Sequence, residues 1–359
     1  MNRVLLAVGT AVAIALGAST AASAVTASTT TSVTGVQIAP AYTSSIGVND
    51  RGDVIGNYSS STGFFWHAGK LTNLGDLPGA TYAYAAAINS SGTVVGYSGA
   101  STSTGSWSHA YIWRDGEMTA LPDLGSNGYA DAINDGGTVA GSVYDKSGNV
   151  IAAEWKDGKL ITLPGRGGSF SEATLINDAG LVVGQSADAA GSTHVIVWQN
   201  GKAVDLGVGN PVAINDRGQV LVNVIPESGP QYAFIWDHGK QTVLPAGTYA
   251  AGLNNKGEVV GDVTISGTST ADGFIWHNGT LTTLGLEQPT AINDRGQVVE
   301  YLYDNGLFDY QVRNADGSTT KLVPPTGTSA SATLINDEGL VAGYTEDTVA
   351  ATVWQLPGH

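Results

Sequence analysis

Carboxylates are the side chains of this sequence that are best suited to acid–base chemistry. Variable segments of the chain carry Asp145, Asp188, Glu227, Asp304 and Asp309. Pairs of Asp or Glu residues perform the proton transfers of glycosidases and lyases, and the distance between the two carboxyl groups decides the reaction. Because a sequence does not give that distance, these residues support an extracellular enzyme (lyase, glycoside hydrolase or cyclase) only as an alternative hypothesis.

The usual catalytic motifs are absent from the sequence. It contains no G-x-S-x-G elbow, no H-E-x-x-H and no P-loop, and the glycine-rich residues 165–168 lack the strand-to-helix setting of a phosphate-binding loop. The six His residues are scattered, and the absence of Cys excludes disulfides, thiolate metal sites and a cysteine nucleophile. The sequence therefore predicts no catalytic residue, no metal site and no cofactor.

One phrase, Ile-Asn-Asp-x-Gly-x-Val or a close variant, recurs eight times at intervals of 38 to 45 residues. A period near 40 is typical of the four-stranded blade of a β-propeller, although some helical repeats share it. The eight Asn residues at the centres of the repeats are Asn49, Asn89, Asn134, Asn177, Asn215, Asn254, Asn293 and Asn336.

The residues within each repeat favour strands over helices. Apolar residues alternate with a period of two, and Gly is frequent, with 49 in the chain. In the second repeat, strands are predicted at residues 84–88, 93–97, 109–113 and 117–121, which makes each repeat a four-stranded antiparallel meander. The first strand is predicted to be the innermost, because its Ala and Gly residues allow the backbones of the repeats to converge around an axis.

The predicted fold is therefore all-β: a single β-propeller domain over residues 25–359, with eight four-stranded blades. The last repeat lacks a fourth strand after Trp354, and residues 32–39 form a strand without a blade of its own. We expect this N-terminal strand to complete the last blade and close the ring, which would remove free sheet edges. A seven-bladed ring with one aberrant repeat is the alternative.

Residues 1–24 resemble a secretory signal peptide. Arg3 precedes an apolar run over residues 4–16, and residues 22–24 have the A-x-A form of a cleavage site. The run is too short for a membrane span. The chain has a net charge of −16, which argues against nucleic acid and anionic membranes as partners because both require a basic surface. A secreted, acidic protein, expected to be a monomer, is predicted.

The repeat resembles the extracellular HAF-repeat family of bacterial secreted proteins. The resemblance lies in His109-Ala110-Tyr111-x-Trp113, in the Ile-Asn-x-x-Gly-x-Val phrase and in a leucine-rich fourth strand such as residues 71–77. It covers nearly all of the chain after residue 24. It implies secretion and a repeated β fold, and it implies no particular activity.

The repeated residues are interpreted as scaffold. Each Asn-Asp-x-Gly is predicted to be a hairpin turn in which the Asn side chain caps the turn and Gly adopts a positive φ, rather than part of a ring of metal ligands. The repeated Trp residues are predicted to pack between blades rather than to stack on sugars.

Function is expected where the repeats differ, at the rim that carries the variable loops. Aromatic rings beside carboxylates suit carbohydrates or small amphipathic molecules. Alternatively, these rings fill the channel or pack between blades. The predicted ligand-binding residues are Tyr82, Tyr84, Trp107, Tyr129, Phe170, Tyr249, Tyr301, Tyr303 and Asp304.

The seventh repeat departs most from the pattern. Glu300 replaces a repeated Gly, Arg313 stands near the Trp position, and a tyrosine-rich hairpin over residues 301–310 lies between them. This hairpin is either a ligand or partner contact, or a drifted repeat held by a Glu300–Arg313 pair. The leading hypothesis is a secreted binding or interaction module without catalytic activity, with an extracellular glycan, small molecule or protein as its partner.

Overall fold

The computed structural model describes residues 31–103, 105–264, 270–304, 307–327 and 329–358. All regular secondary structure in these residues is β-strand. The predicted signal peptide, residues 1–24, lies outside these residues. In the described part, no helix has the length and apolar character needed to span a membrane.

Each of the first seven repeats folds as an antiparallel four-stranded unit, and we number the units one to eight along the chain. The first four units consist of β3 (Thr43–Val48), β4 (Val54–Tyr58), β5 (Thr62–His67) and β6 (Lys70–Asn73); β7 (Tyr82–Ile88), β8 (Val94–Thr102), β9 (Gly105–Arg114) and β10 (Glu117–Ala120); β11 (Gly128–Ile133), β12 (Val139–Tyr144), β13 (Val150–Lys156) and β14 (Lys159–Thr162); and β15 (Gly167–Ile176), β16 (Val182–Asp188), β17 (Thr193–Gln199) and β18 (Lys202–Val208).

The later units follow the same order. They consist of β19 (Asn210–Ile214), β20 (Gln219–Val224), β21 (Tyr232–Asp237) and β22 (Lys240–Val243); β23 (Thr248–Leu253), β24 (Val259–Thr264), β25 (Ala271–His277) and β26 (Thr280–Gly285); β27 (Gln288–Ile292), β28 (Val298–Asp304), β29 (Leu307–Arg313) and β30 (Thr319–Val323); and, in unit eight, only β31 (Ala330–Ile335), β32 (Leu340–Thr345) and β33 (Ala350–Gln355).

The N-terminal segment divides between two units instead of joining only the last one. Its second strand, β2 (Val36–Gln37), pairs antiparallel with β33, as predicted for the strand that completes unit eight. Its first strand, β1 (Thr31–Thr34), pairs in parallel with β30 of unit seven. Gly35 lies between the two strands, and a Cβ there would lie 2.6 Å from the indole nitrogen of Trp354. Only glycine fits this crossing from one unit to the next.

The hydrogen-bonded sheets are fewer than the eight separate sheets that were expected. Six sheets occur in the described residues, with three of four strands, one of five and two of eight. Each eight-stranded sheet joins two consecutive units through a single parallel register pair, Thr62 with Ala83 in one and Val150 with Phe170 in the other. The units converge closely enough at these two points for the third strand of one unit to reach the first strand of the next.

The apolar core lies between consecutive units. One buried cluster joins Val95 of unit two to Val139 and Trp155 of unit three, and another joins Val353 of unit eight to Val54 of unit one. The predicted packing role of the repeated Trp residues is confirmed. Trp155 is 2% exposed, and its indole N–H donates to the carbonyl of Pro122 in the connection from the preceding unit. A buried indole that reaches a carbonyl satisfies both its apolar ring and its polar N–H.

A repeated Gly in the second strand is required by close backbone approach. A Cβ on Gly96 would lie 1.9 Å from the carbonyl oxygen of Tyr84, and the corresponding distances in five other units are 1.9 to 2.2 Å. The two units that lack this Gly have Pro in the facing position. Pro211 pairs with Val222 in unit five, and Pro289 pairs with Glu300 in unit seven. The loss of the repeated Gly and the presence of a facing Pro therefore occur in the same two units.

Candidate functional site

The repeated Asn closes the turn between the first and second strands of each unit. In unit one, the backbone N–H groups of Arg51 and Asp53 donate to Oδ1 of Asn49 at 3.1 and 2.9 Å. Gly52 follows with a φ of 78°. The corresponding glycines of the other units, Gly92, Gly137, Gly180, Gly218, Gly257, Gly296 and Gly339, also have positive φ. The predicted turn role of the Asn-x-x-Gly phrase is confirmed.

The same Asn residues also link the units, a role that the sequence reading did not predict. Nδ2 of each Asn donates to the backbone carbonyl of the Asn in the next unit, at 2.7 to 3.1 Å. The bond from Asn336 to the carbonyl of Asn49 connects the last unit to the first. All eight Asn residues line one cavity of about 370 Å³, together with the apolar residue before each Asn and the polar residue after it.

We call the end of the first strands that carries the eight repeated Asn residues the Asn end. Its amide groups are engaged in turns and in links between units. Within the described residues, no group of three or more His, Asp or Glu side chains is placed to hold a metal ion. The Asp residues that follow several of the repeated Asn also serve the backbone. Oδ1 of Asp178, for example, accepts the N–H of Asp135 from the preceding unit at 2.8 Å. This end of the inner strands is therefore built as scaffold.

The opposite end of the inner strands carries the variable side chains. The residue five before each repeated Asn, on the first strand, pairs across the strands with the residue eight after it, on the second strand. We call these eight pairs the axial wall. The pairs are Ser44–Asn57, Tyr84–Tyr97, Tyr129–Ser142, Glu172–Gln185, Asn210–Asn223, Tyr249–Asp262, Gln288–Tyr301 and Ser331–Tyr344.

Five tyrosines contact one another in series along units two and three. The ring of Tyr97 lies 5.3 Å from that of Tyr84 and 5.0 Å from that of Tyr129. Tyr82 lies 5.9 Å from Tyr84, and Tyr144 lies 6.0 Å from Tyr129. Burial and the neighbouring tyrosines raise the pKa of Tyr97, so its hydroxyl remains a neutral donor at physiological pH. The cluster offers aromatic faces and hydroxyl groups on one surface.

Two carboxyl groups lie beside this tyrosine cluster. Asp131 is the extra residue of a bulge in β11, between Ala130 and Ala132. Burial raises the pKa of Asp131 to about 7, and the nearby Glu172 carboxylate acts in the same direction. Burial also raises the pKa of Glu172. Near neutral pH this pair can therefore hold or release a proton.

A third carboxyl group, Asp262, lies in the axial wall of unit six. At the same wall position, Asn57 accepts the N–H and donates to the carbonyl of Ala85 in the next unit, at 2.9 and 3.1 Å. The residue that corresponds to Ala85 in unit seven is Pro289, which has no N–H to donate. Oδ1 of Asp262 is buried without a hydrogen-bond partner among the described residues, and burial raises its pKa to about 6.

In unit seven, Glu300 and Arg313 form the predicted pair. Glu300 is fully buried, Nη2 of Arg313 lies 2.9 Å from its carboxylate, and Nε2 of Gln311 donates to it at 2.7 Å. Burial raises the pKa of Glu300, and Arg313 opposes that rise. The pair replaces a repeated Gly and a repeated Trp with an ion pair inside the scaffold.

The predicted ligand-binding residues divide among several places. Tyr82, Tyr84 and Tyr129 belong to the tyrosine cluster, and the hydroxyl of Tyr82 donates to the backbone carbonyl of Trp107 at 3.2 Å. Phe170 is partly buried where β15 meets β13.

The remaining predicted residues lie in units six and seven. Tyr249 is 41% exposed and pairs with Asp262. Tyr301 and Tyr303 contact Phe308 within the hairpin of unit seven. The side chain of Asp304 lies outside the described residues.

Two of the carboxylates singled out for acid–base chemistry, Asp145 and Asp188, have a lowered pKa, whereas the enzyme hypothesis requires a raised one. Oδ1 of Asp145 accepts the N–H groups of Ser147 and Asn149 in its own loop, and hydrogen bonds from Asn149 lower its pKa. Asp188 is held in the same way, and the backbone N–H of Ser192 contributes most to lowering its pKa. The exposed Asp309 pairs with Lys321 at 2.9 Å.

Sequence reasoning missed Tyr97, Tyr144, Asp131, Glu172 and Asp262. One signal was present for Asp131, since the other seven repeats have Ile, Ala, Thr or Val three residues before the Asn. Tyr97, Glu172 and Asp262 could be found only by comparing the same wall position in every repeat, because none of them belongs to a known motif.

The His residues that give the resembling family its name have a local role here. Nδ1 of His109 lies 2.6 Å from Oδ2 of Asp123, whose other oxygen accepts the N–H of Gly125 at 2.6 Å. His194 makes the corresponding contact with Asp205 at 2.9 Å. His109 therefore supports the turn after the fourth strand of its unit, and His194 contacts the fourth strand itself, where Asp205 also accepts the N–H of Gly207.

Comparison with solved structures identifies the fold. The propeller domain of the Trilobed protease from Pyrococcus furiosus, described as having an open Velcro topology, aligns with a TM-score of 0.52 over 78% of this chain and 95% of its own, at 12% identity. The fold is β-propeller-like. An acylaminoacyl peptidase in complex with Z-Gly-Gly-Phe-chloromethyl ketone aligns with a TM-score of 0.50 at 11% identity, over 76% of this chain and 51% of its own.

A puromycin-hydrolysing peptidase from Mycobacterium tuberculosis gives a TM-score of 0.50 at 14% identity, over 87% of this chain and 57% of its own. This chain thus spans only about half the length of the two peptidases. Identities this low show the fold alone. No protein-family model matches the chain, and no curated protein matches it.

Proposed function

We propose that this chain is a secreted β-propeller binding module that takes a carbohydrate or a small amphipathic molecule at the axial wall. The observation that carries the proposal is the series of five contacting tyrosines, from Tyr82 to Tyr144, beside the carboxyl groups of Asp131 and Glu172. Aromatic faces stack on the apolar faces of sugar rings, and hydroxyl and carboxyl groups bond to sugar hydroxyls. Secretion is supported by the leader-like residues 1–24 and by the resemblance to the HAF-repeat family.

A glycan and cell-wall polymer array, followed by titration calorimetry on the strongest hit, tests the proposal. Replacing Tyr97 with Ala removes the central ring of the cluster and should weaken binding about tenfold or more. Val243→Ala is the control, because Val243 is 57% exposed on the outer strand β22 and lies away from the wall. Unchanged affinity in the Tyr97 variant would exclude the wall as the binding site.

We further propose that the eight units form a closed ring. Three contacts between unit eight and the start of the chain support this: the bond from Asn336 to Asn49, the pairing of β2 with β33, and the buried cluster that joins Val353 to Val54. Deleting residues 31–39 removes β1 and β2 and exposes the outer edge of β33, so the melting temperature should fall by several degrees. An unchanged melting temperature would contradict closure by the N-terminal strands.

An extracellular enzyme is the second candidate, favoured by the raised pKa of Asp131 beside Glu172. A carboxyl group with a pKa of about 7 can donate a proton to a glycosidic oxygen. Incubation of the array hits with the protein, with analysis of the products by mass spectrometry, separates the two functions. Cleavage that is abolished by Asp131→Asn would support an enzyme, and intact oligomers would favour the binding module.

A further inference from the structure

The axial wall combines aromatic and acidic side chains and has no cationic one. Its eight pairs contain six tyrosines, Glu172 and Asp262, and none of the sixteen positions holds Lys, Arg or His. The bulge residue Asp131 adds a third carboxyl group beside the wall.

The carboxyl groups of Asp131, Glu172 and Asp262 are partly buried and have no cationic side chain paired with them in the described residues. None of them forms an ion pair in the described part of the chain, and burial is the largest cause of the raised pKa of each. The nearest comparison is Glu300, which is buried in unit seven but is paired with Arg313 at 2.9 Å. A cation supplied from outside would restore the electrostatic balance at the wall.

The aromatic partners are of the kind that an organic cation prefers. The faces of tyrosine rings attract ammonium groups, most strongly where water is partly excluded. Tyr97 lies near enough to Asp131 for the carboxylate to raise its pKa, and its ring contacts those of Tyr84 and Tyr129. Tyr249 and Tyr301 flank Asp262 in the same way, through cross-strand pairing and through an electrostatic effect on Tyr301. Two patches of the same composition therefore occur on the wall, one in units two to four and one in units six and seven.

We propose that the axial wall selects a ligand with more than one ammonium group, an amino-sugar oligomer, over neutral or acidic oligomers of the same length. The inference rests on the proposed binding function and specifies its ligand. Each ammonium group would lie on tyrosine faces and beside a carboxylate, and the sugar rings would stack on the remaining aromatic surface. Uronic acid oligomers would be repelled, because no side chain of the wall offsets their charge.

Titration calorimetry of the full chain with two matched oligomers tests the inference. One is a glucosamine oligomer whose amines are trimethylated, so that its charge does not depend on pH, and the other is the N-acetylglucosamine oligomer of the same length. At about pH 8.5, which is above the pKa of both Asp131 and Asp262, the cationic oligomer should bind at least about tenfold more tightly.

Three isosteric variants locate the effect. Asp131→Asn and Asp262→Asn should each weaken binding of the cationic oligomer about tenfold and weaken binding of the N-acetylated oligomer much less, because Asn can still hydrogen-bond to sugar hydroxyls. Asp309→Asn removes the same charge at a side chain that is 62% exposed and paired with Lys321 away from the wall, so it should change neither affinity. Thermal unfolding of each variant shows whether it remains folded.

The pH dependence gives an independent readout. Asp131 interacts with Glu172 and Tyr97, and Asp262 with Tyr249 and Tyr301, so no cation among the described residues is shown to compete with protonation of either group. Lowering the pH to about 5 should weaken binding of the cationic oligomer and leave the N-acetylated one unchanged. Equal affinity for the two oligomers would overturn the inference while the proposed function stands. Failure of the whole glycan array to bind would overturn both.

Discussion

The inner strands of this protein end in two different surfaces, although the same eight strands build both. At the Asn end, every unit places an identical side chain in an identical pattern, with Oδ1 bonded to its own turn and Nδ2 bonded to the next unit. At the axial wall, only a few residues away along the same strands, each unit has a different pair of side chains. The side chains of the first surface bond to backbone groups that would otherwise be buried without partners. This requirement restricts which residue can occupy each position.

The wall positions can differ because most of their side chains form no hydrogen bond to the backbone in the described part of the chain, the exceptions being Asn57, Gln185, Asn223 and Gln288. Asn57 and Asn223 each accept a hydrogen bond from a backbone N–H of the next unit, that of Ala85 and that of Ala250. Where the neighbouring unit has Pro, the wall residue differs, as with Gln185 and Asp262. The comparison teaches that a side chain is repeated where the backbone requires it and becomes variable where the requirement is absent.

The largest effect is expected at the Asn end. Asn336→Ala and Asn177→Ala each remove a buried amide that bonds to the next unit and accepts the N–H of a following Leu. Each should lower the free energy of unfolding by about 3 kcal/mol, because buried partners lose their bonds. Denaturant unfolding measures both. A much smaller loss for Asn336 than for Asn177 would show that the link between the last and first units is weaker than the others, against a closed ring.

The next effect tests the close approach of the first and second strands. Gly96→Ala would place a Cβ 1.9 Å from the carbonyl oxygen of Tyr84, so we expect a loss of about 2 kcal/mol in the free energy of unfolding. Gly252→Ala is the matched control. Its Cβ would lie 3.3 Å or more from its neighbours, and four other units already have Ala at that position. Equal stability of the two variants in denaturant unfolding would refute the steric explanation of the repeated Gly.

At the wall, Asp131→Asn should change how stability depends on pH. The pKa of Asp131 is about 7 in the folded protein, above its ordinary value of 3.8, so its contribution to stability is fully present below about pH 4 and is lost as the pH rises through about 7. Asn does not ionise, so the variant should exceed the original protein in free energy of unfolding by about 2 kcal/mol near pH 8, after allowance for partial exposure.

Melting temperatures recorded from about pH 4 to about pH 8 measure this difference, with Asp309→Asn as the control. Curves for the original protein and the Asp131 variant that remain parallel over the whole range would mean that Asp131 does not titrate as described.

The smallest effect is expected for Asp262→Asn. Asn at this position would gain an Nδ2 donor for the Pro289 carbonyl, as Asn57 and Asn223 bond to the carbonyls of Ala85 and Ala250. It would also remove a carboxylate whose Oδ1 has no hydrogen-bond partner in the part of the chain that the structure describes. We expect a gain of about 1 kcal/mol in the free energy of unfolding at neutral pH. A loss of stability in calorimetric melting would indicate that the carboxylate already has a partner that Asn does not replace.

Much of the fold could be predicted from the sequence, because its signals are local. The Asn-x-x-Gly turn, the two-residue alternation and the small residues before each Asn all act over a few residues, and they indicated the strand order within each unit and the turn role of Gly52 and its counterparts. The pairing of the N-terminal segment with β33 was predicted from the missing fourth strand of the last repeat, but the parallel pairing of β1 with β30 could not be predicted, because unit seven already has four strands and no gap in the repeat indicates a fifth.

The candidate site was predicted only in part. Tyr82, Tyr84 and Tyr129 were recognised as aromatic residues near the inner strands, and the structure places them in one cluster. Asp145 and Asp188 were selected for acid–base chemistry because they lie in variable loops, but loop N–H groups hold both. The pKa of a carboxyl group depends on burial and on neighbours from other units, which is why Asp131 and Asp262 were not selected.

The sequence by itself determined the repeat, the order of the strands within each unit and the residues that each turn requires. These follow from periodicity and from the positive φ that glycine adopts most easily. Tertiary structure alone decided which side chains meet. It joined Asn336 to Asn49, brought Tyr97 against Tyr129 of the next unit, and buried Oδ1 of Asp262 without a hydrogen-bond partner among the described residues. The physical reason is that these contacts form between units, where hydrogen bonding and loss of water depend on how the units pack against one another.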